Sequence, residues 1–227
     1  MKRMSNIISL RKPEKKMKRF AGAVFALMLA VFILPTNTLA GDTLQIRGQN
    51  AEAFFFSIDA SECIETTVFV FASEEAAKRH DSPGPPGPTD FFSFASIGIF
   101  QVDVCKRRIQ FLLDAFCSVF PLANEDFQVN KMLDSAMLNA TLECFDNVSS
   151  SFFNVDADLD WTATGDPVRE SFHFHFLSPG FSFNFRSSST SRTAEVSGMV
   201  SRGATNFTPV MGSGAIRSTK LGEVVID

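Results

Sequence analysis

Residues 155–186 read VDADLDWTATGDPVRESFHFHFLSPGFSFNFR, and the alternation of apolar and polar residues in this stretch decides the fold class. A period of two is typical of β-strands that bury one face and expose the other. Three alternating segments follow one another here, separated by the turn sequences TGDP and LSPG. The sequence therefore predicts three consecutive antiparallel strands.

The register of these strands follows from matching their apolar faces, because a slip of one residue would turn every side chain over. Centring the first turn on Gly165-Asp166 places Asp158 opposite His173 and Asp156 opposite His175. Aspartates and histidines would then share one face of the sheet.

Phenylalanines alternate with polar residues in the second and third segments, and the same argument places Phe174 opposite Phe183. The opposite face would then be a buried slab of phenylalanines with aliphatic neighbours.

Asp156, Asp158, His173 and His175 are the candidate metal ligands of this sequence. Carboxylate oxygens and imidazole nitrogens suit zinc or another divalent ion, and the predicted register would bring both types together. The alternative is a solvated strand face whose opposite charges pair for a few tenths of a kcal/mol each. We favour that alternative because no further ligand cluster converges on the same place.

Outside this stretch the chain shows three more pairs of strand-like segments around short polar turns. Only Ala76–Arg79 and Asn124–Met132 resemble short helical turns. We expect an all-β fold whose antiparallel hairpins form a sandwich or a partly closed barrel. The paired segments are 51–59 with 65–73, 91–104 with 109–119, and 135–145 with 152–162.

The amino-terminal segment has the pattern of a secretory signal peptide. Basic residues up to Arg19 precede an apolar run from Phe20 to Leu34, which is shorter than the roughly 20 residues that a membrane-spanning helix needs. We expect residues 1–40 to be a signal peptide, with Met17 as an alternative start. The remainder divides into a first β-hairpin part, 41–119, and a second β part, 124–227, packed together.

Removal of residues 1–40 leaves 13 basic and 24 acidic residues, a net charge of −11. A chain of this charge repels phosphate backbones and anionic lipid headgroups. We therefore expect no nucleic-acid partner and no peripheral binding to anionic membranes. Because cleavage removes the apolar run, we also expect that the remaining chain is not an integral membrane protein.

Four cysteines allow three complete pairings. Cys63 and Cys105 lie in turns at the same end of their predicted hairpins, whereas Cys117 lies at the far end of its strand. A Cys63–Cys105 disulfide is the pairing that this layout favours, and it suits an oxidising compartment.

No recognised catalytic or cofactor pattern is present: G-x-S-x-G, a glycine-rich phosphate loop and H-E-x-x-H are all missing from the sequence. We therefore predict no catalytic residue and no cofactor.

The carboxyl-terminal part resembles a group of uncharacterised secreted bacterial proteins. The resemblance is good from Asp160 onward and loose over the earlier hairpins. It implies secretion and an all-β structure, but no assigned activity. Its motifs are DWTATG at 160–165, SPGF at 178–181, AEVSGMVS at 194–201 and TNFTP at 205–209.

Taken together, these features predict a secreted or periplasmic β protein that binds an unknown extracellular or cell-surface ligand, or has a structural role there, without being an enzyme. The alternative function is a metal-assisted hydrolase that uses the Asp/His ladder. Whether the chain is catalytic stays open at this point.

Overall fold

The structure is a computed structural model, and it describes residues 43–80, 86–178, 181–209, 211–222 and 225–226. All of them lie in the unit that spans Leu39–Asp227. The predicted signal peptide, 1–40, lies outside the described residues, as do residues 81–85. The described strands are β1 (Thr43–Ile58), β2 (Ile64–His80), β3 (Pro86–Asp103), β4 (Gln110–Val119), β5 (Phe127–Val129), β6 (Ser135–Asp146), β7 (Ser151–Ala163), β8 (Val168–Ser178), β9 (Phe181–Arg202), β10 (Thr205–Asn206), β11 (Met211–Leu221) and β12 (Val225–Ile226).

The predicted all-β class is confirmed, and the antiparallel sheet closes on itself. Eight strands pair in the order β9, β11, β1, β2, β3, β4, β6, β7 and back to β9. A row of paired residues that starts at Phe54 reaches Phe152 through β2, β3, β4 and β6. In the other direction the same row reaches Thr162, ten residues further along β7. This stagger means that the strands are inclined to the axis of the ring.

The apolar core fills the inside of the ring, supplied by alternate residues of each strand. Trp161 is among its largest members and is 1 % exposed. Its indole nitrogen donates a hydrogen bond to the backbone carbonyl of Glu52 at 2.8 Å, so its polar group is satisfied inside the core. Further core side chains are Phe55, Val68, Ile97, Ile99, Phe127, Leu138, Leu142, Val155, Leu159, Val196 and Ile216.

The three predicted hairpins outside 155–186 are confirmed as β1–β2, β3–β4 and β6–β7. Both predictions of helical turns are wrong. Ala76–Arg79 belongs to β2, which pairs with β1 on one side and β3 on the other, and this tertiary pairing overrides local helix propensity. Asn124–Met132 contains a turn and then β5, which pairs with β6.

The predicted hairpin between the first two segments of 155–186 is wrong. β7 and β8 do not pair with each other; they follow one another along the same side of β9, where Ala163 is opposite Ala194 and Val168 opposite Ser191. The TGDP segment does not reverse the chain, because it is hydrogen-bonded to β9. Thr193 accepts a backbone hydrogen bond from residue 164, and the side chain of Arg192 donates to the carbonyl of residue 165.

β8 and β9 do form the predicted hairpin, but their pairing is shifted by two residues from the predicted register. Phe174 lies opposite Phe185 rather than Phe183. The predicted burial is also wrong, since Phe172, Phe174 and Phe176 are 57, 46 and 48 % exposed. Among the described strands β8 pairs only with β9, so no wall of the ring covers it.

We call the part of the sheet beyond the closed ring the overhang. It arises because β7 pairs with β9 only from Ala194 onward, and β4 pairs with β3 only from Ala95 onward. It consists of β8, residues 181–191 of β9, 217–221 of β11, 43–50 of β1, 73–80 of β2 and 86–94 of β3.

Two disulfides cross-link the described chain. Cys63–Cys105, the predicted pair, has an S–S distance of 1.97 Å. Cys117 pairs with Cys144 at 1.98 Å, a bridge that the sequence did not predict because it depends on β4 lying beside β6. That β4–β6 contact, with β1–β11, joins the two predicted parts of the chain in one sheet. No helix with the length and apolar character to cross a bilayer occurs in the described residues.

Candidate functional site

The structure does not bring the predicted metal ligands together. Asp158 lies opposite Met199 of β9, whereas His173 lies opposite Arg186, thirteen residues away on the same strand. At about 3.3 Å per residue this separation is roughly 40 Å. No group of three or more His, Cys, Asp or Glu within the described residues could hold a metal ion.

The aspartates and histidines also lie on opposite faces of the sheet. Asp156 and Asp158 alternate with buried core residues and therefore face outward from the ring. His173 and His175 share the face of Arg186 on β9, which is the face that carries the buried Ala194 further along. The predicted Asp/His ladder is wrong because it rested on the incorrect β7–β8 register.

Asp156 has an ordinary local role, since its carboxylate accepts a hydrogen bond from the Thr141 hydroxyl at 2.7 Å. On the other strand, His173 Nε2 lies 2.9 Å from Asn184 Oδ1. These contacts fit the solvated alternative for each half of the ladder.

A more unusual feature is a row of five exposed phenylalanines on the outside of the ring, which we call the aromatic row. Phe54 is paired with Phe69, and Phe116, Phe145 and Phe152 are paired in turn across β4, β6 and β7. The ring centroids of the first pair are 4.9 Å apart, and those of Phe145 and Phe152 are 5.0 Å apart. Between 37 and 70 % of each residue is exposed.

Gly98 of β3 stands between Phe69 and Phe116 in this row. The ring of Phe100 covers the gap: its Cε2 would lie 3.1 Å from a Cβ placed on Gly98, and its centroid is 6.3 Å from that of Phe69. The glycine therefore allows the aromatic surface to continue across β3.

Carboxylates border the aromatic row. Glu52, Asp114 and Glu143 each lie two residues before a member of the row and so on the same face. Strands β4, β6 and β7 contain no lysine, arginine or histidine. The surroundings of the aromatic row on these strands are therefore acidic.

The overhang has the opposite character on the face that continues the inside of the ring, and we call this surface the basic face. Arg47 of β1 lies opposite Lys220 of β11, and His173 of β8 lies opposite Arg186 of β9. All four side chains are exposed. An open cleft here is lined by two outward-facing residues, Phe172 and Ser187, and by Ser171, His173, Arg186, Ser188, Lys220 and Gly222.

Glu74 is the one carboxylate that shares this face among the described residues of β1, β2, β8, β9 and β11. It lies opposite Gln49 rather than opposite a cation, and burial raises the pKa of its carboxyl. The aromatic row is thus bordered by carboxylates, whereas the basic face of the overhang carries mainly cations.

Sequence reasoning missed both surfaces. Alternation identified the strands that carry the aromatic row, and the phenylalanine content was visible in the composition. The segments that carry Arg47 and Lys220, 43–50 of β1 and β11, were not among the predicted strands. The members of each surface are far apart in the chain, however, and only the strand order and register place them side by side.

No family model matches this chain, and no curated protein matches it. Among solved structures, the crystal structure of a "putative AttH" from Nitrosomonas europaea aligns at 12 % identity and a TM-score of 0.31. The alignment covers 81 % of this chain and 52 % of that protein, so the chain spans about half the length of its structural neighbour. A likeness at this TM-score carries no argument about fold or function.

Proposed function

We propose that this chain is an exported, extracytoplasmic binding protein that docks through its aromatic row onto a protein surface with an apolar centre and a cationic rim. The observation that carries the proposal is the alignment of five exposed phenylalanines in one row across the sheet. Core burial does not explain them, because the inner residues of the same strands already fill the ring.

The size of the surface supports a functional interpretation. Five phenylalanines at these exposures present on the order of 500 Å² of aromatic area, taking roughly 200 Å² for each whole side chain. Soluble proteins rarely expose larger contiguous apolar patches, and patches of this size are often functional. Aromatic anchors are also the residues that contribute most to protein–protein binding.

Charge favours a cationic protein as the occupant. Glu52, Asp114 and Glu143 border the row, so a second copy would bring like charges together, and an anionic membrane would be repelled. Complementary charge at the rim would steer association and set specificity.

Export is supported by the sequence and by the disulfides. The first 40 residues have the pattern of a signal peptide, and the carboxyl-terminal motifs resemble secreted bacterial proteins of unassigned activity. The two disulfides would persist in an oxidising compartment and be rare in the cytosol.

Site-specific cross-linking in the producing cells tests the docking surface. A photoreactive phenylalanine analogue is placed at position 69, 116 or 152, and at position 174 of β8 as a control that is equally aromatic and exposed. We expect one cross-linked protein from the three row positions and none from position 174. The purified partner should bind the double variant Phe69→Ser/Phe116→Ser at least tenfold more weakly than the parent protein. Its binding to the parent should also weaken as the NaCl concentration rises from 50 to 500 mM.

Three results would contradict the proposal. Equal cross-linking from position 174 would show that any exposed phenylalanine reacts. Cross-links between two copies of the chain would make the surface a homodimer interface, and co-flotation with phosphatidylcholine vesicles that Phe69→Ser/Phe116→Ser abolishes would make it a lipid-binding surface.

A further inference from the structure

Two cations face each other directly on the basic face. Arg47 and Lys220 are partners in the β1–β11 register, where opposing Cβ atoms are about 5 Å apart and like charges destabilise the pair. Within the described part of the chain, neither has a carboxylate oxygen within 4 Å. An ordinary solvated sheet face would pair such charges with opposite ones, so this arrangement needs another explanation.

Arg186 extends the cationic cluster to a third strand. It lies on β9, the neighbour of β11 on the side away from β1, and it too lacks a carboxylate within 4 Å among the described residues. His173, its partner on β8, contacts Asn184 and is thereby oriented beside it. Neighbouring strands are about 4.8 Å apart, so the cations of β9, β11 and β1 extend over roughly 10 Å.

Hydroxyl groups complete the surface. Ser171 lies opposite Ser188, and Ser188 lies opposite Lys220, so a row of two serines leads directly to the opposed cations. Ser171, Ser188, Lys220 and Arg186 line the open cleft, and Arg47 lies beside it as the strand partner of Lys220. Serine hydroxyls, an ammonium group and guanidinium groups are all donors to phosphate or carboxylate oxygens.

We propose that the basic face binds a small anion that carries at least two phosphate or carboxylate groups. The 10 Å extent of the cations requires more than one charged group, since a single oxyanion could reach only two of the three strands. A bound dianion would neutralise the repulsion between Arg47 and Lys220. The planar guanidinium group of each arginine can donate two hydrogen bonds to the oxygens of one phosphate or carboxylate group.

The net charge of the exported chain limits the ligand to a small molecule. At −11 the whole protein repels a polyanion that extends past the cleft, whereas charges beyond about 8 Å are screened at physiological salt. The basic face therefore acts on a ligand that fits within it. Its role is separate from that of the aromatic row, which lies on the other side of the sheet.

Calorimetric titration of the exported protein tests the site with defined probes. Pyrophosphate and citrate are compared with inorganic phosphate and acetate, at 50 and 300 mM NaCl. We expect pyrophosphate or citrate to bind at one site per chain and at least tenfold more tightly than its single-group counterpart. Which of the two binds identifies the charged group as phosphate or carboxylate.

Matched variants locate the site. Lys220→Gln and Arg47→Gln should each weaken binding at least tenfold while the melting temperature stays constant or rises, because each removes a like-charge contact. Arg217→Gln is the control: it changes an exposed cation of the same strand that lies opposite Asn50 on the outer face, and it should leave affinity unchanged.

Equal weakening by Arg217→Gln would show general charge attraction and overturn the proposal, as would probes with two charged groups that bind no better than those with one. Phe69→Ser/Phe116→Ser should leave anion binding intact. The two proposals can therefore fail separately. The protein could bind no anion and still cross-link through the aromatic row, or it could bind the anion and give no cross-link there.

Discussion

The indole nitrogen of Trp161 donates a hydrogen bond to the backbone carbonyl of Glu52 at 2.8 Å, and this bond joins β7 to β1 across the inside of the ring. β7 and β1 are not neighbours in the sheet, since β9 and β11 lie between them. The contact spans 109 residues of sequence and links the first strand of the ring to one in the second predicted part of the chain.

Trp161→Phe should lower the free energy of unfolding by about 1–3 kcal/mol, because it leaves a carbonyl without its donor and a smaller ring in the core. Urea denaturation of the oxidised protein measures the change. A loss below about 0.5 kcal/mol would mean that the Glu52 carbonyl finds another donor.

Gly214→Ala tests the packing beside this bond. A Cβ at position 214 would clash with the Glu52 carbonyl oxygen and would lie 2.8 Å from Val196 Cγ2, so backbone or side chain must move. We expect a loss of about 2–3 kcal/mol. The comparison is Gly203→Ala, where nothing lies within 4 Å but φ is +57°, and the expected cost is about 1 kcal/mol. If the two variants lost the same free energy of unfolding, the contacts of the new Cβ at position 214 would be relieved without strain.

Local pattern was enough for the central parts of most strands and for the hairpins whose turns reverse the chain, but it wrongly assigned Ala76–Arg79 of β2 and the segment that contains β5 to helical turns. The alternation around Trp161 correctly separated core residues from outward aspartates, because burial has the period of the strand itself. Whether a turn reverses the chain depends on its surroundings. The segment after β7 bonds to Thr193 and Arg192 of β9, which a reading of residues 164–167 alone cannot reveal.

Long-range order explains what the sequence could not predict. Phe172 and its neighbours alternate like core residues, but among the described strands β8 has one partner strand and no opposing wall. Arg47 and Lys220 are opposed only because β11, which lies far along the chain, pairs with β1. The Cys117–Cys144 bridge likewise needs the β4–β6 contact.

Phe55 and Phe174 offer a direct comparison of the same side chain inside the ring and on the overhang. Phe55 is 1 % exposed, so Phe55→Ala should cost about 3–5 kcal/mol through lost burial and a cavity. Phe174 is 46 % exposed, and Phe174→Ala should cost less than about 1 kcal/mol. Denaturant titrations of both variants give the two values. A large loss at Phe174 would mean that another element covers β8.

The two disulfides should differ in their reaction with reductant. Cys117 and Cys144 are fully buried, whereas Cys105 is exposed and Cys63 partly so. Because an attacking thiolate must reach the sulfur, native protein in mild dithiothreitol should open Cys63–Cys105 first. Alkylation and peptide mapping identify the freed thiols. Labelling of Cys117 before Cys63 would show that the ring opens between β4 and β6.

Cys63→Ser/Cys105→Ser should lower the free energy of unfolding by about 3–4 kcal/mol, because the bridge closes a loop with a sequence separation of 42. Unfolding in urea measures the loss against the oxidised parent. A change below about 1 kcal/mol would mean that the unfolded chain is already compact around this loop.

Asp146 should make the stability of the β6–β7 turn depend on pH. Burial raises the pKa of its carboxyl, but hydrogen bonds from the Ser149 hydroxyl and from the amides of Val148, Asp114 and Ser149 outweigh burial and hold that pKa below its usual value. The unfolded chain therefore binds the proton more readily. The stabilisation is complete above the unfolded pKa of about 4 and is lost as pH falls through the lower folded value.

Asp146→Asn should cost about 2 kcal/mol at pH 7, because an amide cannot accept all of these hydrogen bonds and carries no charge. The difference from the parent should be smaller at about pH 2.5, because the parent loses this stabilisation as pH falls below the unfolded pKa of about 4. Urea titrations at the two pH values measure it, with Asp160→Asn on the exposed side of β7 as a control expected to change by less than about 0.5 kcal/mol. A difference that stays the same at both pH values would mean that the turn depends on the shape of the side chain rather than on its charge.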